Sequence, residues 1–115
     1  MAVTNSGRAI ASQVIGSNTT TAGQPFSVNA DTKAMVAVMT ISSRTDGTYV
    51  LHIQHSHDGS NWEALVSGGN VTSNDTVYLS YTQDVNGACL PLVRIVIVST
   101  SVTTGATAVA SILHD

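Results

Sequence analysis

At 115 residues the chain has a single-domain length, and folding at this size buries about two thirds of the surface that the unfolded chain exposes, so one core is expected. Charged residues make up 10 % of the sequence, against roughly 25 % in an average soluble domain, and 14 Ser and 15 Thr fill the deficit. Four basic residues exclude the clustered Lys/Arg footprint of a nucleic-acid-binding protein, a Val-rich chain of net charge −3 is not a disordered one, and no apolar run of about 18 residues offers a membrane-spanning helix.

The first residues, Met1 to Gly7, are polar and weakly patterned, and read as a flexible N-terminal arm in front of one domain over residues 8–115. Met1 to Ile15 lacks the continuous apolar stretch of a signal peptide and reads as mature sequence. Runs rich in Val, Ile, Thr and Tyr then follow at Arg8 to Ile15, Gln24 to Ala30, Ala34 to Ser42, Thr48 to His55, Asn61 to Ser67, Asp75 to Thr82, Pro91 to Thr100 and Gly105 to Leu113. Gly, Asn, Asp, Ser or Pro separate them, and Ser17 to Gly23 reads as a loop or second arm. About eight short strands without a helical pattern predict an all-β, antiparallel β-sandwich, either a jelly roll or an immunoglobulin-like fold.

Alternation orients the strands. From Thr48, the residues Tyr49, Leu51, Ile53 and His55 share one face, predicted to meet the core, while Val50, His52 and Gln54 share the other. Ala34 to Met39 and Leu92 to Val98 are apolar on both faces, which calls for a second cover, and in a small domain with little surface charge the expected cover is another subunit.

The segment His55-Ser56-His57-Asp58-Gly59-Ser60-Asn61-Trp62 carries a hairpin signal at Asp58-Gly59. With five aromatic residues in the chain, Trp62 is expected to anchor the core with Tyr49 or Tyr81; the alternative is a stacking platform for a sugar or a protein partner. Arg94, the charge inside a long apolar strand, is expected to point outward at an edge or rim, or to pair with a carboxylate of a neighbouring strand or subunit. His52, His55 and His57 do not share one face of a strand, so metal binding is not expected. Ser56, His57 and Asp58 are sequence neighbours that cannot converge as a catalytic triad. Asp58 and Glu63 have no apparent pocket that would tune them as an acid–base pair, and the chain is expected to be neither an enzyme nor a cofactor binder. The lone Cys89 makes no internal disulfide and reads as a small apolar filler.

The stretch Asp46 to Trp62, with its strand, its Ser-His-Asp-Gly turn and its Trp, followed by Leu92-Val93-Arg94-Ile95-Val96-Ile97 and an Ala/Thr-rich final strand, resembles small structural proteins of tailed bacteriophages. His57 stands where that pattern usually has Pro. The resemblance covers about half of the chain. It implies a β-sandwich module of the virion, in the first place a capsid cement or decoration protein whose partners are the major capsid protein and copies of itself. It also extends to carbohydrate-binding or adhesion modules of tails and fibres, for which Trp62 and the tyrosines would form the platform. Neither reading involves nucleic acid or a membrane.

Overall fold

A computed structural model describes residues 4–5, 10–28 and 32–114. The strands are β1 (Thr4–Asn5), β2 (Ile10–Ile15), β3 (Thr19–Ala22), β4 (Phe26–Ser27), β5 (Ala34–Ser42), β6 (Thr48–Ser56), β7 (Glu63–Ser67), β8 (Asp75–Thr82), β9 (Leu92–Thr100) and β10 (Ala106–His114). One helical turn, α1 (Gln83–Asn86), follows β8. All pairings are antiparallel and build two sheets. Sheet I has the order β1-β10-β5-β8, with β2 also on β10, and sheet II has the order β3-β9-β6-β7, with β4 also on β9.

β1 and β2 are two pieces of one strand along β10, and β3 and β4 two pieces of one strand along β9, so the sandwich has eight strand positions. Successive positions pair first with last and second with next to last, as in one long hairpin rolled over on itself. That is the jelly roll, and the immunoglobulin-like alternative is set aside. The eight predicted runs find their counterparts, with two differences. Ser17 to Gly23 holds β3, whose Thr19 to Ala22 pair with Ser99 to Val96 of β9, and is not a loop. Thr-rich sequence is well suited to an exposed strand, and the absence of apolar alternation hid it. Pro25, which has no N–H to give the ladder, separates β3 from the short β4, so the run predicted over Gln24 to Ala30 is a strand only at Phe26–Ser27; its last residues, 29–30, lie outside the described ones. Thr4 and Asn5, within the predicted arm, pair with His114 and Leu113; the rest of Met1 to Gly7 lies outside the described residues.

The core fills the space between the sheets with Met35, Ala37, Met39 and Ile41 of β5, Tyr49, Leu51 and Ile53 of β6, Val93, Ile95 and Ile97 of β9, and Ala106, Ala108, Ala110 and Ile112 of β10. Ala110 and Ala108 of β10 lie beside Met39 and Ile41 of the adjacent β5, and Ile112 beside Ala37, an alternation of small and large that lets the layers interdigitate. Tyr49 and Tyr81 are fully buried, and each satisfies its hydroxyl at the edge of the core, Tyr49 donating to the Asp46 carbonyl at 2.9 Å and Tyr81 to the Gly87 carbonyl at 2.6 Å.

Two aspartates fasten the ends of the sandwich. The Asp46 carboxylate, in the β5–β6 turn, accepts the backbone N–H groups of Thr103, Thr104 and Gly105 at 2.8–3.1 Å and so ties that turn to the β9–β10 turn. Those bonds hold its carboxyl below the usual carboxylate range. Gly105 has φ +104°, and a Cβ there would collide with the Ile15 carbonyl. At the other end Asp58 closes the predicted hairpin turn, accepting from the N–H groups of Ser60 and Asn61 at 2.9 Å, while Gly59 takes φ +80°.

Candidate docking surface

With the core faces of both sheets packed together, the outer faces are the broad surfaces left to solvent. Sheet II carries the polar one. On β6 and β9 the outward residues pair Gln54 with Arg94 and His52 with Val96. Arg94 Nε donates to Gln54 Oε1 at 2.8 Å, and the guanidinium lies 4.4 Å from the centre of the Trp62 ring. Next along the face, His52 Nδ1 and Ser67 Oγ lie 2.9 Å apart, and burial pushes the His52 imidazolium toward its neutral form.

This corrects the expectation for Trp62. Its indole is half-buried on the outer surface and is not part of the core, whereas Tyr49 and Tyr81 are both core residues and cannot serve as a binding platform. The three aromatic rings do not come together. Arg94 points outward as expected but sits on a strand inside the sheet, and it is held by an amide and an aromatic ring in place of a carboxylate. Val96, on the same outer face, is fully buried although it lies outside the core cluster. On the ladder it lies between His52 of β6 and Ala22 of β3, and it is buried within the chain itself, whereas Arg94 and Val98 on either side of it are half-buried.

The histidines lie apart. His55 Nδ1 accepts the Leu90 N–H at 3.1 Å and His57 is exposed beside Asp58. Among the described residues no group of three or more His, Cys, Asp or Glu side chains gathers as a metal site would require. The Ser56 hydroxyl is engaged by Asp58, donating to its carboxylate at 3.0 Å and accepting the N–H groups of Asp58 and Gly59. Cys89 is half-buried, and burial pushes its thiol up to about 11.

The outer face of sheet I has a different character. Its rows run Val14–Thr107–Ser42, Val109–Thr40–Thr76, Ser111–Val38–Tyr78 and Leu113–Val36–Ser80 across β2, β10, β5 and β8. Among the described residues this face bears no charged side chain. Five of the seven large hydrophobic residues exposed on the described surface lie on it, Val14, Val36, Tyr78, Val109 and Leu113, and Tyr78 is 71 % exposed. Here β5 keeps the uncovered apolar side that its sequence announced, with Val36 38 % exposed. Tyr78 is the aromatic residue the sequence reading passed over. Its signal was present in the alternation Thr76-Val77-Tyr78-Leu79-Ser80-Tyr81, where Tyr78 shares its side with Thr76 and Ser80.

Neither family models nor curated proteins match the sequence. Among solved structures the chain is similar to the SPBc2 prophage-derived protein YomS, with a TM-score of 0.55 and 14 % identity over 100 % of this chain and 96 % of that one. A xylan-binding domain from CBM 22 aligns with a TM-score of 0.47 and 12 % identity over 97 % of this chain and 85 % of that one. The class defined by the fold is thus a small antiparallel jelly-roll sandwich, and YomS shares that fold along the whole chain.

Proposed function

We propose that the protein is a structural component of a bacteriophage particle, a cement or decoration subunit that seats the outer face of sheet I on an assembled shell and bridges neighbouring copies of the major capsid protein. The observation that carries this reading is the uncharged outer face of sheet I, which gathers most of the exposed large hydrophobic residues of the described surface. A free surface of this kind is costly in water, and apolar burial stabilises contact by about 25 cal/mol per Å². A subunit that binds the closed lattice and not its free building blocks shifts the balance toward the lattice by mass action, about 2.7 kcal/mol per site at a free concentration of a hundred times Kd. The fold shared with a prophage-derived protein supports the setting.

A second reading, a carbohydrate-binding or adhesion module of a tail or fibre, draws on Trp62, whose indole lies on the surface of sheet II. One ring face of Trp62 is already covered by Arg94, which narrows the stacking surface left for a sugar. The experiment that tests the first reading is electron microscopy of purified particles with and without the protein. Density on the shell and copurification with intact particles support it. Particles that leave the protein behind, together with a Trp62 fluorescence response to added saccharide, point to the second.

A further inference from the structure

We infer that the free edge of β8 is a self-association site, at which a second copy of this chain adds its own β8 antiparallel and extends sheet I across a two-fold axis. Natural sheets blunt their edges with short strands, bulges, prolines or charges, because an open edge pairs with any strand that reaches it. Three of the four edges here follow that rule. β7 is five residues long, starts at Glu63, and pairs with β6 across a register shift at Ile53/Gln54. β3 and β4 are short and separated by Pro25. β2 pairs with β10 across a shift between Ala108 and Ala110, and β1 is two residues long.

The edge of β8 has none of these devices past its first residue, Asp75. It runs eight residues in unbroken register with β5, and beyond Asp75 its sequence Thr76-Val77-Tyr78-Leu79-Ser80-Tyr81-Thr82 contains no charge, Gly or Pro. The N–H of Thr76 is given to the Asp75 carboxylate and not to β5, which marks Thr76 and its partner Thr40 as a pair that exchanges no backbone hydrogen bonds. The chain caps that N–H with Asp75 Oδ1 at 2.8 Å and the N–H of Thr82 with Asn86 Oδ1 at 3.0 Å. By the same alternation, Tyr78 and Ser80 between these caps turn their N–H and C=O groups outward. The ladder is thus sealed at both ends and open in the middle.

The open stretch is complementary to itself. Residues directly opposite in an antiparallel pair share a face, so with Leu79 on the axis Tyr78 stands opposite Ser80 of the second copy, and the two can exchange both backbone hydrogen bonds on each side of the axis. Asp75 then stands opposite Gln83, and no like charges meet. Leu79 of the second copy arrives at the mouth of an open cleft of about 260 Å³ between the sheets, lined by apolar Leu51, Val71, Val77 and Leu79 beside Gly68 to Asn70. Strand pairing of this length buries less than the roughly 800 Å² per partner of a standard interface, so the dimer forms with rising concentration and does not persist on dilution.

Sedimentation velocity of the full chain from about 10 µM to about 500 µM tests this, a range suited to a weak interface. The apparent mass is expected to climb from 11.9 kDa toward twice that value. Ser80→Pro, which removes an N–H that the fold itself does not use, is expected to keep the melting temperature within a few degrees and to abolish the climb. In a Cys89→Ser background, Leu79→Cys is expected to cross-link between copies under mild oxidation far faster than Val109→Cys on the outer face. A monomer at every concentration overturns the inference. So does a dimer that survives Ser80→Pro, or cross-linking no faster at position 79 than at 109.

Discussion

The guanidinium of Arg94 rests 4.4 Å from the centre of the Trp62 ring while its Nε donates to Gln54 Oε1 at 2.8 Å, on the outer face of sheet II. The contact joins a central strand to the residue that ends the β6–β7 turn, and fixes the single indole of the chain to the sheet. Arg94→Gln is expected to destabilise the fold by about 0.5–1 kcal/mol, the size of a partly exposed cation–π contact, and to red-shift Trp62 emission. Urea unfolding followed by fluorescence reads both, and an unchanged midpoint and spectrum would show the contact to be inert.

Asp46 gives the fold a defined acid response. Hydrogen bonds from Gly105, Thr104 and Thr103 lower its folded pKa, so the stability it contributes is present above the unfolded value and is lost as pH falls through the folded one. Asp46→Asn is therefore expected to lower the melting temperature at neutral pH and to flatten its dependence below about pH 4. Parallel melting curves of the two proteins between neutral and acid pH would disprove the clamp.

Gly105→Ala introduces a Cβ against the Ile15 carbonyl at φ +104° and is expected to cost more than about 1 kcal/mol. Gly69→Ala meets no atom within 4 Å and is expected to be nearly neutral, within about 0.5 kcal/mol. Chemical denaturation of both variants decides whether the β9–β10 turn is as tightly constrained as the geometry implies.

The sandwich class and the hairpin turn at Asp58-Gly59 were legible in the sequence, because β-branched runs punctuated by Asp-Gly are local signals. Jelly-roll order was not, since the pairing of β10 with β5 and of β9 with β6 joins segments far apart in the chain. Nor could β3 be seen, a Thr run whose ladder is supplied entirely by β9. At the candidate site, composition pointed to Trp62, Tyr49 and Tyr81 as a group, yet tertiary packing buries two of them and leaves the third outside. Tyr78 required only the period of two along β8, and its importance emerges when the neighbouring strands place Val38, Val36 and Leu113 on the same side.

Cys89 is half-buried, and with its thiol pushed up to about 11 it is almost entirely protonated at pH 8. Labelling by a thiol-specific disulfide reagent is expected to be roughly a hundredfold slower than for a free cysteine. Labelling at the rate of an unstructured peptide would show that the segment before β9 opens readily.

The proposed seat on a shell is tested most directly by the occupancy of purified phage shells with the double variant Val36→Lys/Val109→Lys, which places one charge on each of the two inner strands of sheet I, β5 and β10, and none on β8 itself. Occupancy at saturating wild-type concentration is expected to fall at least tenfold while the isolated variant keeps its β-sheet spectrum and cooperative melting. Equal occupancy by the folded variant and the wild-type protein would contradict the proposed docking face.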